Sequence, residues 1–179
     1  MLMNRLHSYF QYVAALFIIA ALGACATHIP EQIRATPKEN ILPRQVQKAP
    51  QVFLGKTIRW GGTVIAIKNH KNETRLTILS QMLNRFGQPA GGDQSNGRFI
   101  AVVPQFLDPA IYAKQRNITV VGTVNKVETK KIDDFAYDYP IIKVTSHYLW
   151  PPEREIDDDF YPWFWHDPWY PYYHPHSHR

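Results

Sequence analysis

The sequence predicts a mainly β protein: a small five-stranded, OB-like Greek-key barrel with one short helix, preceded by a signal peptide and followed by an irregular tail. Three observations predict it. Between residues 51 and 150 the β-branched and aromatic residues gather in five runs, each bounded by Gly, Asn, Asp or Pro. A helix signal falls between the third run and the fourth. On either side the composition changes: an apolar run ending at the single cysteine comes before, and a stretch rich in Pro, aromatics and His comes after.

The five runs are Thr57–Lys68, Thr74–Met82, Arg98–Val103, Asn117–Glu128 and Pro140–Trp150. In RLTIL the alternation sends Leu76 and Ile78 to one face and Arg75 and Thr77 to the other. Gly61 and Gly62 predict a bulge or coil in a strongly curved first strand. Gly122, in the middle of the fourth, predicts a sharp bend or a close backbone approach. In PQFLDPAIYAKQR, Asp108 suits an N-cap, Pro109 the first helical position, and Ile111 and Tyr112 a short apolar face. Three strands, a helix and two strands is the OB order, with an SH3-like barrel or an open meander as the alternatives.

The first 24 residues read as a lipoprotein signal peptide. Arg5 and His7 make a short basic start, and Tyr12–Leu22 is an apolar run of secretory length. Leu22, Gly23 and Ala24 then precede Cys25, the chain's single cysteine. A lone thiol cannot close an internal disulfide, and the chain offers no CxxC pair. LGAC has the form of a lipobox, in which small residues admit the peptidase and the thiol accepts a diacylglyceryl group. A transmembrane anchor with an incidental cysteine is the competing reading, and the run is short against the ~20 residues that a spanning helix needs. Ala26 follows the cysteine in place of an aspartate retention signal, which favours the outer membrane. The expected location is that membrane, lipid-anchored, on its periplasmic side. No cofactor is expected beyond the covalent lipid on Cys25.

Residues 25–50 carry four prolines on a polar background and read as a lipidated, loosely packed tether. Residues 51–150 form the barrel and 151–179 the tail. Arg5 leaves with the signal, so the net charge of +5 becomes +4 in the mature chain. The tail holds six acids against two arginines, net −4, which leaves +8 on residues 25–150. A basic body on an acyl anchor suits anionic headgroups. The expected partners are outer-membrane lipid, other envelope proteins or a glycan. No stripe of clustered Lys and Arg points to nucleic acid.

Several separated stretches resemble the Slp family of outer-membrane lipoproteins. They are RWGG (Arg59–Gly62), NGRFIA (Asn96–Ala101), FLDP with Tyr112, TVVGTV (Thr119–Val124), Tyr137 with Tyr139-Pro140, and LWP (Leu149–Pro151). The resemblance runs from Cys25 to about Pro151. It implies lipid anchoring at the outer membrane and an association with starvation or envelope stress, and it implies no catalytic mechanism.

The candidate sites follow. Scattered acids with His70 and His147 do not suggest a catalytic constellation, so no enzyme is expected. Asp108 is more economically a helix cap than an acid catalyst, and Asp133 and Asp134 in KKIDDF read as solvated loop charge. OB barrels bind extended ligands on the second and third strands, which makes Arg75, Arg98 and Phe99 a candidate ligand face. The simpler reading has Phe99 in the core and both arginines solvated. Trp60 and Trp150 read first as core residues. In the tail, Trp163, Trp165 and Trp169 are candidates for membrane contact, and His174, His176 and His178 for a metal. A tail draped without any ligand is the third possibility.

Overall fold

The structure, a computed structural model, describes residues 29–152. Its frame is a closed barrel of five strands, β1 (Thr57–Asn69), β2 (Thr74–Gln81), β3 (Arg98–Val103), β4 (Asn117–Ile132) and β5 (Phe135–Leu149). The strands run β1-β2-β3-β5-β4 around the barrel, and β4 closes it on β1. Every pairing is antiparallel except β3 with β5. This is the order expected of the OB-like Greek key.

Inward-pointing residues alternate with outward ones along β2: Thr74, Leu76, Ile78 and Ser80 are buried, while Arg75, Thr77 and Leu79 are half-buried on the outer surface. The core is completed by Ile58, Trp60 and Val64 from β1, Phe99 and Ala101 from β3, Ile118 and Val120 from β4, and Ile142 and Val144 from β5. Trp60 meets Phe99 edge-on at 5.2 Å. Gly122 sits where the β4–β5 register shifts. A Cβ there would lie 2.3 Å from the carbonyl oxygen of Lys143, so the close approach expected from the sequence is present. The register shift in β1 falls between Val64 and Ala66, past Gly61 and Gly62. What those glycines admit is a neighbour: a Cβ on Gly62 would reach 1.9 Å from the Leu79 carbonyl oxygen.

Three features depart from the sequence reading. The first is the segment before the barrel. From Ile29 onward it is no loose tether: it folds into three short helices, α1 (Glu31–Arg34), α2 (Pro43–Lys48) and α3 (Pro50–Phe53), and lies against the barrel as a strap. Ile33, Ile41 and Val46 are buried to 0%, 6% and 0% exposure. Each such side chain contributes roughly 1.5–3 kcal/mol relative to leaving it in water. Two of the four prolines that suggested extended chain start helices instead. Pro43 and Pro50 occupy first-turn positions, where a missing N–H costs nothing, and the Gln45 side chain accepts the Leu42 N–H at 2.7 Å.

The second is the predicted helix after β3. Asp108 does cap, its Oδ1 accepting the Ala110 N–H at 2.8 Å and its carbonyl the N–H groups of Ile111 and Tyr112. The segment makes one turn only, because a further turn with Gln115 at φ 70° redirects the chain into β4. The third is the hairpin joining β4 and β5. KKIDDF is no open loop: its lysines continue β4, and Asp133 and Asp134 make a two-residue turn, with Asp133 left-handed at φ 53°.

Candidate functional site

The register of β2 on β3 pairs Arg75 with Val102, Thr77 with Ile100 and Leu79 with Arg98. Arg75 and Arg98 therefore share the outer face, four residues of strand apart, and Phe99 points the other way. Phe99 is fully buried in the core and belongs to no ligand face. The outer face itself is largely taken by the chain's own hairpin. Ile100, Tyr139 and Ile141 form a second apolar cluster, with Val102, Ile132 and Tyr137 packed on it. Tyr137 Oη accepts the Arg98 N–H at 2.7 Å.

Arg75 ties the hairpin down. Its Nε donates to Glu73 at 2.8 Å and its Nη1 to Glu128 at 3.4 Å. Glu128 also meets Lys126 at 2.9 Å and Lys130 at 3.3 Å. The hydrogen bond that Arg75 donates to Glu73 holds its guanidinium above the ordinary range, and that from Lys126 holds the Glu128 carboxyl below its own. Two clefts of about 330 and 360 Å³ flank this network and share Arg75. One adds Asn125, Lys126 and Lys143, the other Lys68, His70 and Lys130. Both are lined by groups already paired or free to reach solvent.

A third cavity, of about 300 Å³, has a different construction. It lies between the strap, the start of β1 and the chain leaving β2. Its polar lining is made of Arg59 and Arg85, the amides of Asn40, Gln81, Asn84 and Asn96, and the hydroxyls of Thr36 and Ser80. Among the described residues lining it there is no carboxylate and no histidine. Arg59 Nη1 donates to the carbonyls of Ile33 and Arg34, both at 2.9 Å, and so clamps the strap to β1. Trp60 Nε1 donates to the Ile41 carbonyl at 2.6 Å and clamps it a second time. Burial lowers the Arg59 pKa, and its Nε is buried without a partner among the described residues. An arginine so placed stays charged. The cavity therefore offers a fixed positive charge with amide donors and acceptors around it, a lining suited to a polar or anionic group.

The Slp family of outer-membrane lipoproteins matches residues 22–177. The chain belongs to that family. It is 33% identical to the uncharacterized lipoprotein YeaY of Escherichia coli K12 over 161 residues, covering 84% of this chain and 79% of that protein. It is 26% identical to the outer membrane protein Slp of the same organism, over 85% of each chain. An uncharacterized protein of Haemophilus influenzae is 30% identical over 115 residues, 64% of this chain and 62% of the other. Among solved structures, a small single-stranded DNA-binding protein from Streptomyces coelicolor aligns with a TM-score of 0.33 at 15% identity, over 53% of this chain and 94% of its own. A likeness of that size bears on neither fold nor function.

Within this Slp-type barrel the RWGG stretch has a physical account. Arg59 and Trp60 hold the strap, and Gly61 and Gly62 leave room for the neighbouring strands. The cavity that Arg59 lines escaped sequence reasoning because the strap was read as loose chain. The clustering of Asn40, Asn84 and Asn96 is invisible at separations of 44 and 12 residues. His147 is half-buried, and its Nε2 lies 3.0 Å from the Tyr112 hydroxyl; burial lowers its pKa. His70 is at the rim of a cleft, away from it. Leu22, Gly23, Ala24 and Cys25 lie outside the described residues, as do Trp163, Trp165, Trp169, His174, His176 and His178. Among the described residues no three His, Cys, Asp or Glu side chains gather as a metal would require, and no helix is long and apolar enough to cross a membrane.

Proposed function

We propose that this Slp-family protein is a non-enzymatic lipoprotein, cleaved after Ala24 and acylated at Cys25. It stands on the periplasmic side of the outer membrane, where it serves envelope maintenance under starvation or stress. Its molecular task is to hold a polar or anionic segment of an envelope glycan or peptide in the Arg59 cavity. Family membership supports the anchor and the membrane, and the cavity is the observation that carries the binding role. A lining of arginine and amides with neither histidine nor carboxylate suits retention of a ligand, since acid–base chemistry needs a group that titrates near neutrality.

The test is a titration of the mature chain, with Cys25→Ser to prevent acylation, against anionic oligosaccharides and carboxylate-ended peptides. Saturable binding is expected to one of these classes. Asn40→Asp introduces a like charge into the lining at nearly constant size and should weaken that binding about tenfold. Equal affinity in the two proteins, or no binding to either class, overturns the assignment.

A further inference from the structure

The acylation site and the first docked residue are close along the chain. Ala26, Thr27 and His28 alone separate Cys25 from Ile29, a span that reaches at most about 14 Å when fully extended. Ile29 already belongs to the strap: its carbonyl accepts Arg34 Nε at 3.3 Å, and Ile33, one turn further on, is fully buried. The Arg59 clamp on the Ile33 and Arg34 carbonyls means that the leash cannot lengthen by peeling the strap unless both hydrogen bonds break. A tether running to residue 50 would let the barrel roam and turn. This one restricts which face can meet the bilayer.

The face beside Ile33 is a rigid turn. Gly87 packs so closely on α1 that a Cβ there would lie 2.4 Å from the Ile33 carbonyl oxygen. Asn84 Oδ1 accepts the N–H groups of Phe86 and Gln88 at 2.9 and 3.1 Å, and Thr119 Oγ1 donates to the Gly87 carbonyl at 2.6 Å. The turn presents Phe86, 49% exposed, with the Arg85 guanidinium 4.6 Å from its ring centre, and Met82 is exposed next to it. An aromatic ring and a guanidinium held outward together match the two layers of a membrane interface, acyl boundary and phosphate. On α1 the exposed Glu31 is offset by Arg34. Exposure alone would not select this face, because Phe106 is more exposed, at 71%. Phe106 sits at the other end of β2, where the adjacent Leu107 N–H is held by Thr74 Oγ1 at 3.0 Å. The seven-residue rise from Thr74 to Gln81 is about 23 Å, so the leash that reaches one end leaves the other away from the surface.

We propose that the Met82–Gln88 turn and α1 form the face that rests on the bilayer bearing the anchor, with Phe86 entering the interface and Arg85 meeting lipid phosphate. The proposal rests on acylation of Cys25. It places the Arg59 cavity, which Arg85 also lines, beside the headgroup layer, and it turns the Phe106 end of the barrel away.

The experiment uses the full lipidated protein reconstituted into vesicles of phosphatidylethanolamine and phosphatidylglycerol that carry nitroxide headgroups. Acylation blocks the Cys25 thiol, so Phe86→Cys and Phe106→Cys each supply a single labelling site for a fluorophore. Quenching at position 86 should exceed that at 106 at least about threefold, as expected of a group seated at the headgroup level. Arg85→Glu should reduce the difference. Met82→Cys reports the same face should Phe86→Cys not fold. Mass spectrometry of the N-terminal peptide separates the two ways to fail. An unmodified cysteine removes the leash and the lipoprotein reading with it. An acylated cysteine with equal quenching at 82, 86 and 106 overturns the face assignment and leaves the anchor standing.

Discussion

A Cβ at position 122 has nowhere to go. Besides the Lys143 carbonyl oxygen at 2.3 Å it would meet Ile142 Cγ2 at 3.0 Å, so β4 and β5 must part to admit any side chain. Gly122→Val should therefore lower stability by roughly 1–3 kcal/mol, the usual effect of forcing extra carbon into a packed site. Urea unfolding measures it, and a wild-type midpoint would mean that the strands separate freely. His147 permits a second prediction at this scale. Burial lowers its pKa from the model-peptide range, so the folded state disfavours the imidazolium. In the window below about pH 6.5 the unfolded chain binds the extra proton first, and stability falls as pH drops from there toward the folded pKa. Replacing the ring by Gln, which keeps a hydrogen-bonding partner for Tyr112 and does not titrate, should flatten the stability profile just below about pH 6.5. An unchanged slope would assign the effect to other groups.

The strap and the hairpin are the two elements that this barrel adds around its strands. The strap is held by backbone carbonyls on Arg59 and Trp60 and by three buried aliphatic side chains. Arg59→Ala removes a charged donor from two carbonyls, a loss of roughly 1.5–3 kcal/mol for each such bond at most. The expected result is local release with the barrel intact. Trypsin should then cut after Arg34, Lys38 and Arg44 well before it cuts in the strands, and hydrogen exchange should rise over residues 30–48 alone. Equal cleavage of variant and wild type would show that the apolar contacts suffice without the clamp. The hairpin is held by the Arg75–Glu128 pair and by Ile132, Tyr137 and Tyr139 on Ile100. Both partners of the pair are about a quarter exposed, so the apolar cluster carries most of the attachment.

For the molecule as a whole, α1 lies against the turn that follows the Gln81 end of β2 and the Phe106 loop lies at the Thr74 end, so an anchor at Cys25 would give the barrel a polarity relative to the membrane. Cys25→Ala removes the thiol that would accept the lipid. It should leave uncleaved precursor or protein that washes from membranes, as fractionation and mass spectrometry would show. Normal membrane retention with an unmodified N-terminus would refute the anchor. For the tail, vesicle binding by non-acylated protein that falls when Trp163, Trp165 and Trp169 are replaced by Ser would assign those rings to the interface. Binding that survives the replacement would place the contact outside those three rings.

What the sequence determined by itself was periodic or local. The strand runs, the inward set of Leu76 and Ile78, the need for a glycine at 122, the cap at Asp108 and the family are written in neighbouring residues, because strand alternation and capping act over two to four positions. Tertiary structure decided the rest. Proline starts a helix as readily as it prevents one, so Pro43 and Pro50 left the strap undetermined until Ile33, Ile41 and Val46 found the core. Lys130 and Lys131 read as loop until the apolar face of the hairpin met Ile100. The Arg59 cavity exists because Asn40, Asn84 and Asn96 converge from three separate segments. No local rule carries that information, since a long-range contact depends on the shape of the whole core.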